Sequence, residues 1–342
     1  MKPYPQKIAS LEMMRVIAML AVIIIHIRLF VDFPFSDGNA WLADIFNQLS
    51  RFAVPFFFIL SGFFIQPKLI NRPISTIHQY CKPLLKIWVV WSLICLLLPT
   101  RLDALMSKGY LAERIAYWDF LLENPLNSFL EGGLVHLWFL PALMIAVAIM
   151  AFFIRFRMLY LLLPVSFIVY LYGVFAGSYA SLTELSAPFL TRNGPFFSLF
   201  MVVIGFEIRR REWRLSTSSA LLLLTLGVVG HFVEAYWLFT KGVVFSSHDF
   251  LLFTPLWATG LFLLLLTKPN MGNHPITYYL SRSTLSIYAS HLSIAIIFYN
   301  IVGAFAITGL PRDAIMLFGT VITTLLFVKV IEKTPLNKIL FR

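Results

Sequence analysis

Residues Leu11-Glu12-Met13-Met14-Arg15-Val16-Ile17-Ala18-Met19-Leu20-Ala21-Val22-Ile23-Ile24-Ile25-His26-Ile27-Arg28-Leu29-Phe30-Val31 decide the fold. The run is almost entirely apolar and long enough, as an α-helix, to cross roughly 30 Å of hydrocarbon. Arg15 and His26 stand where a plain membrane anchor would carry leucines. On a helix, eleven residues are three turns plus roughly 20°, so both side chains share a face about 16 Å apart along the axis. Ionisable groups cost roughly 3 kcal/mol or more each at mid-bilayer and usually face a polar cavity or a partner. A histidine toward one membrane face, in register with a cation near the other, suggests chemistry that reaches across the bilayer.

The rest of the chain has the same character. Charged residues make up 13% of its 342 residues and apolar ones 59%, whereas a soluble domain carries about twice that charge fraction. The composition predicts an all-α, polytopic membrane protein, and residues 1–342 read as a single membrane-embedded domain. Apolar runs bounded by turn and charge signals place about ten spans near 11–32, 46–66, 84–99, 134–154, 158–176, 194–208, 217–239, 249–267, 284–302 and 313–331. The sixth, Gly194 to Ile208, is the shortest, and reads as a short cavity-lining helix or a re-entrant element. Cys81 and Cys95 form no disulfide framework and no metal set. The N-terminus has lysines and an apolar run but no small-residue cleavage site, so it reads as a retained helix rather than a removed leader.

Charge distribution sets the expected orientation. With the N-terminus inside, the cytoplasmic segments hold Lys2, Lys7, Lys68, Arg72, Lys82, Lys86, Arg155, Arg157, Arg209, Arg210, Arg211, Arg214, Lys268, Arg282, Lys333, Lys338 and Arg342. The opposite side holds Arg101, Lys108, Arg114, Arg192, Lys241 and Arg312. Seventeen against six predicts cytoplasmic termini and an even number of spans. The same bias accounts for most of the net charge of +11, so no nucleic-acid partner is expected. The longest polar segment, about 100–133, falls outside and carries Tyr110, Tyr117 and Trp118, suited to a membrane interface or the cover of a cavity. Gly173 and Gly177 form a GxxxG pattern, best read as close helix packing.

Several side chains are placed for chemistry. His26 reads either as an interfacial histidine bonded to a neighbouring helix or as a base. Arg15 reads as a snorkelling anchor or a ligand contact, and Glu12 pairs with it at i,i+3. Arg51 lies at about the depth of His26. Pro55 frees a backbone carbonyl, and Ser61-Gly62 permits a close helix contact or a path for a thin ligand. His231 and Glu234 share a face, as a buried ion pair or as a contact to an acceptor.

Arg15-x10-His26 with Glu12 before it, followed by Arg51-Phe52-x-Val54-Pro55-Phe56-Phe57-Phe58-x-x-Ser61-Gly62-Phe63, resembles the acyltransferase-3 family of membrane O-acyltransferases. His136-Leu137-Trp138-Phe139-Leu140 and Ser283-Thr284-Leu285-Ser286-Ile287-Tyr288-x-x-His291 are similar to its later segments. So is the aromatic helix Gly194-Pro195-Phe196-Phe197 through Gly205-Phe206-Glu207-Ile208-Arg209. The likeness runs over nearly the whole chain. Two departures stand out: Glu12 replaces a frequent aspartate, and no esterase-like soluble domain is appended, so any second acyl carrier is a separate protein or absent.

The resemblance implies a bacterial inner-membrane enzyme. It would move an acyl group, commonly acetyl from cytoplasmic acetyl-CoA, to a hydroxyl of a surface polysaccharide or its lipid-linked precursor. It implies His26 as general base and Arg51 as a cation beside the developing oxyanion. Arg15, Glu12, Ser61, Tyr288, His291, Arg209 and Arg210 fall to the coenzyme's path, and His136 and Trp138 to the acceptor pocket. No metal is expected. Arg209, Arg210, Arg211 and Arg214 equally fit the ordinary excess of cytoplasmic cations. A glycan transporter or flippase without acyl transfer is the alternative reading.

Overall fold

A computed structural model describes residues 7–341. Lys2 and Arg342, both counted in the charge bias, lie outside them. Every described regular element is helical. In chain order come α1 (Ala9–Ile27), α2 (Trp41–Ser50), α3 (Ala53–Asn71), α4 (Pro73–Leu97), α5 (Leu102–Lys108) and α6 (Tyr110–Glu123). They are followed by α7 (Pro125–Glu131), α8 (Phe139–Arg155), α9 (Leu159–Phe175), α10 (Ala180–Thr183), α11 (Pro195–Arg210) and α12 (Thr217–Thr240). The last six are α13 (Thr254–Thr267), α14 (Pro275–Arg282), α15 (Thr284–Ala304), α16 (Gly309–Ala314), α17 (Thr320–Ile331) and α18 (Asn337–Leu340).

Each of the ten apolar runs contains a helix, though several are helical only in part. Among the described residues, seven helical stretches are long and apolar enough to cross a membrane: Ala9–Ile27, Trp41–Asn71, Pro73–Leu97, Val135–Arg155, Thr217–Thr240, Thr284–Ala304 and Gly309–Ile331. Helices α9, α11 and α13 are shorter, at 17, 16 and 14 residues.

The chain divides into two compact units. One holds Met1–Ala18, Arg51–Lys82 and Phe139–Arg282. At its centre α11 packs against α3, α8 and α9, and α12 lies along α13. Every residue of α11 from Phe197 to Ile208 is buried except Phe200. A helix enclosed by other helices need not match the bilayer's thickness, which explains how so short a segment forms a continuous helix rather than a re-entrant turn. Pro195 opens it at a position whose N–H has no helical partner in any case. Pro55 sits in the first turn of α3, and the stretch Trp41–Asn71 is interrupted by a turn at Arg51 and Phe52, where the proline leaves the Arg51 carbonyl without a helical partner.

The Ser61-Gly62 step gives the close contact expected of it. A Cβ on Gly62 would strike the carbonyl oxygen of Val202, and a Cβ on Gly205 would strike that of Ile59. Each helix thus presents its glycine to the other's backbone. Gly173 likewise lies against Phe196 of α11. Phenylalanine rings fill the remaining space, Phe58 stacking on Phe139 at 4.6 Å and Phe197 on Phe250 at 4.5 Å.

The other unit holds Met19–Ser50, Pro83–Trp138 and Ser283–Arg342. Here α1 ends at Ile27, earlier than its apolar run predicts. Arg28 and Phe30 take positive φ angles of 45° and 64°, and the Arg312 guanidinium donates to the carbonyls of Ile27 and Arg28 at 3.2 and 3.0 Å. A cation thus closes the negative end of the helix.

The polar segment 100–133 is not a plain loop but three helices, α5 to α7. Their anchor is a buried pair. Glu113 accepts from the amides of Thr100 and Arg101 at 2.9 and 3.1 Å. Arg114, completely buried, binds Glu113 at 2.7 Å and donates to the carbonyl of Leu96 at 3.3 Å. The guanidinium also stands 4.7 Å over the Tyr117 ring. These bonds hold Glu113's pKa down to about 2, with the Arg114 hydrogen bond as the largest cause.

Candidate active site

Three imidazoles meet in the second unit. His26 lies in the last turn of α1, His136 in a short 3-10 turn (Val135–Trp138) before α8, and His291 in α15. Ring centroids are 5.3 Å apart for His26 and His291, 5.2 Å for His136 and His291, and 6.4 Å for His26 and His136. His136 is 2% exposed and His291 not at all. Among the described residues no set of His, Cys, Asp and Glu is arranged to hold a metal.

Hydrogen bonds fix the tautomers of two rings. His136 Nε2 lies 3.1 Å from the carbonyl oxygen of Ala289, and a carbonyl only accepts, so the proton sits on Nε2. His291 Nδ1 lies 2.7 Å from the carbonyl oxygen of Tyr288, so its proton sits on Nδ1. His136 Nδ1 and His291 Nε2 remain, buried and with no hydrogen-bond partner among the described residues. The Tyr288 hydroxyl donates to the backbone carbonyl of His136, and the Tyr299 hydroxyl to that of His26 at 2.8 Å.

The structure brings His136, read as an acceptor contact, into one cluster with Tyr288 and His291, read as coenzyme contacts. The reason is local: α15 runs on past His291 toward Tyr299, and the turn carrying His136 hangs from the Ala289 carbonyl. Trp138 closes that turn, half-buried.

In the first unit, Arg15 donates to Glu12 at 2.8 Å and stands 5.3 Å over the Phe64 ring. The Ser281 hydroxyl donates to the same carboxylate. Arg15, Ser61, Lys68, Gln79 and Tyr80 line a cavity of about 270 Å³. Lys68 gives it a second cation, and Tyr80 and Gln79 give it neutral donors. These three were not singled out from sequence; Lys68 was read only as part of the charge bias.

Arg210 and Arg211 both bind Glu207, through bonds of 2.6 to 2.9 Å, and Glu207 is buried. Arg209 lies 4.9 Å over the Phe63 ring. The i,i+3 and i,i+4 spacing to Glu207 was the overlooked signal.

Arg51 shares Asp249 with Arg192, at 2.6 and 2.8 Å, and also donates to the Ser246 carbonyl at 3.1 Å. Asp249 and Arg192 had not been assigned to a site. His248 beside them is 1% exposed, and burial, then Arg51, hold its pKa down to about 4. His231 meets the Thr254 hydroxyl at 3.2 Å, and Glu234 accepts from Leu252, Phe253 and the Tyr179 hydroxyl.

Comparison with known proteins places this geometry in context. The chain is 27% identical over 312 residues to a protein named amino-acid racemase from Enterococcus faecalis, covering 85% of this chain and 42% of that protein. It is 26% identical over 276 residues to a serine/alanine racemase from Enterococcus gallinarum, covering 75% and 37%. The chain therefore spans less than half the length of these curated relatives. No solved structure matches it. The model of the acyltransferase-3 family, described as an acyltransferase domain, matches residues 8–329, and with nearly all of its helices inside that match the chain belongs to this family.

Proposed function

We propose that this protein is an inner-membrane O-acyltransferase that moves an acyl group, most simply acetyl from acetyl-CoA, to a hydroxyl of a surface polysaccharide or its lipid-linked precursor. The observation that carries the reading is the contact of half-buried His26 with buried His136 and His291, in a chain of an acyltransferase family. Acetyl-CoA supplies the acyl group as a thioester. His26 takes the proton of the acceptor hydroxyl as its oxygen adds to the thioester carbonyl. The carbon–sulfur bond then breaks, and His26 returns the proton to the departing thiol. Arg51 is the assigned cation for the oxyanion. Arg15, held by Glu12, is the assigned contact for the coenzyme's phosphates. The cavity beside it suits that task, because two cations and several neutral donors face it.

The alternative is a polysaccharide or lipid-linked glycan transporter or flippase that moves the same acceptor without acylating it; the relatives' names speak of racemisation and favour neither reading. Thiol release separates the two. Purified protein in lipid nanodiscs, given acetyl-CoA and a lipid-linked glycan, releases free thiol in a glycan-dependent manner if it is an acyltransferase. Movement of the glycan across vesicle membranes without thiol release would establish the transporter.

A further inference from the structure

Helices α5 to α7 turn charge inward and apolar side chains outward. Leu111, Ile115 and Leu122 are 62%, 45% and 70% exposed, and they lie within about 40° of one another around α6. Met106 on α5 and Phe129 on α7 are exposed as well. Glu113 and Arg114 face inward as a buried pair. Asp119 and Glu123, also exposed, sit roughly 60–100° further round the helix from the apolar strip. An exposed apolar strip of this kind marks a contact with protein or with a membrane.

Two observations choose the membrane. The first is the end of α4. A helix leaves its last four carbonyls without helical partners, and at a wet end water takes them. Here the Leu98 amide donates to the Ile94 carbonyl at 2.9 Å, and Arg114 donates to those of Cys95 and Leu96 at 3.4 and 3.3 Å. Trp118 Nε1 also donates to the Leu96 carbonyl at 3.1 Å, and the Tyr110 hydroxyl to that of Leu97 at 2.7 Å. Protein donors fill all four, as a place without water requires. The second observation is continuity. Leu85, Val89, Leu93 and Leu97 recur every fourth residue along α4, a helix long and apolar enough to cross a membrane, and all four are exposed. The Tyr110 bond joins α6 to the last of them, so the strip of α4 continues into that of α6. We infer that α5 to α7 lie in the membrane interface, with Met106, Leu111, Ile115, Leu122 and Phe129 among lipid acyl chains and with Asp119 and Glu123 at the water. The partner of this surface is the bilayer itself, bound along a helix that rests in one leaflet without crossing it. This holds whether or not the chain transfers an acyl group.

The test is spin labelling of the full-length protein in vesicles of phosphatidylethanolamine and phosphatidylglycerol. Single cysteines replace Leu111, Ile115, Leu122, Phe129, Asp119 or Glu123 in a Cys81→Ser background, with the buried Cys95 retained. Each label is probed by collision with oxygen, which gathers in lipid, and with a neutral nickel chelate, which stays in water. The ratio of oxygen to nickel collisions should be several-fold higher at Leu111, Ile115, Leu122 and Phe129 than at Asp119 and Glu123. Equal ratios with nickel reaching both sets would overturn the inference and make α5 to α7 a cover standing in water. Exclusion of both probes from the apolar set would overturn it in favour of a protein partner or a second copy. Oxygen dominating at Asp119 and Glu123 as well would overturn the placement at the interface. The unmodified protein supplies a second measurement that depends on no variant. Carbene labelling from a lipid with a diazirine in its acyl chain should mark residues 111–122 as it marks residues 85–97, and marks confined to 85–97 would overturn the inference.

Discussion

His26 and His291 stand 5.3 Å apart, centroid to centroid, with 50° between their ring planes. Eight residues beyond His291 on the same helix, the Tyr299 hydroxyl donates to the backbone carbonyl of His26 at 2.8 Å. Eight residues are just over two helical turns, so one face of α15 supplies both contacts. The end of α1 is therefore held by its backbone and its side chain at once, which fixes the imidazole before any ligand arrives.

Loss of that imidazole should be felt in chemistry and not in folding. His26→Gln keeps hydrogen-bonding capacity but removes the base, and acyl transfer is expected to fall by at least about a hundredfold. Surface-glycan acetylation in cells expressing equal amounts of each protein is the measurement. Near-normal acetylation by the variant would end the assignment.

Donor binding should be separable from that step. Arg15→Ala removes a cation from the cavity it shares with Lys68 and Tyr80, and coenzyme-A binding should weaken about tenfold or more. His26→Ala should leave it largely intact. Calorimetric titration of the solubilised variants checks the division, and an equal loss in both refutes it.

Reporter fusions test the orientation. Fusions after Arg72, Arg157 and Arg214 and at the C-terminus are expected to report cytoplasm, and those near Tyr110 and Lys241 the outside. A C-terminus on the outside would break the even count of spans, most readily at one of the short helices α9, α11 or α13.

Acid should loosen the helices that follow α4. Glu113's pKa is depressed from 4.5 to about 2, so its contribution is present in full above the unfolded value and is lost as pH falls through the folded one. Stability should decline between about pH 4.5 and 2. Glu113→Gln should lower stability by about 2–3 kcal/mol at neutral pH, because Arg114 is left buried without its counter-charge. Thermal melts in detergent across that range measure both, and a wild-type profile flat with pH would contradict the account.

Much of the fold was legible because apolar runs are long-range signals. Every such run contains a helix, and the Arg15/His26 spacing survives because α1 is unbroken across both. What escaped was local chemistry. Leu29, Phe30 and Val31 read as more helix, but Arg312, far along the chain, caps the helix at Ile27. The segment 100–133 read only as a polar stretch because charged residues interrupt its apolar ones, and the Glu113–Arg114 pair shows what its helices are built around. At the candidate site, His26, His136, Tyr288 and His291 were all named from sequence. Their convergence was not, since depth in a membrane was inferred from distance to a span's end, and that measure places His136 and His291 apart. Asp249 and Arg192 lay in loops where a single acid or base carries no periodic signal.

Packing offers its own test. Gly62→Ala or Gly205→Ala places a methyl group against a backbone carbonyl of the facing helix, and each should cost about 1–3 kcal/mol. Melting temperatures lower by several degrees are expected, and unchanged ones would show that the helices can separate freely.

That mutual approach of α3 and α11 also limits how the protein can change over generations. A side chain that grows in most cores can be offset by a neighbour that shrinks. Here the atoms in the way are the carbonyls of Val202 and Ile59, which every residue carries, and the other half of the arrangement is already the smallest residue there is. No second substitution can restore the spacing, so lineages that keep this helix pair are confined to glycine at both positions, and those that lose one must rebuild the contact rather than repair it.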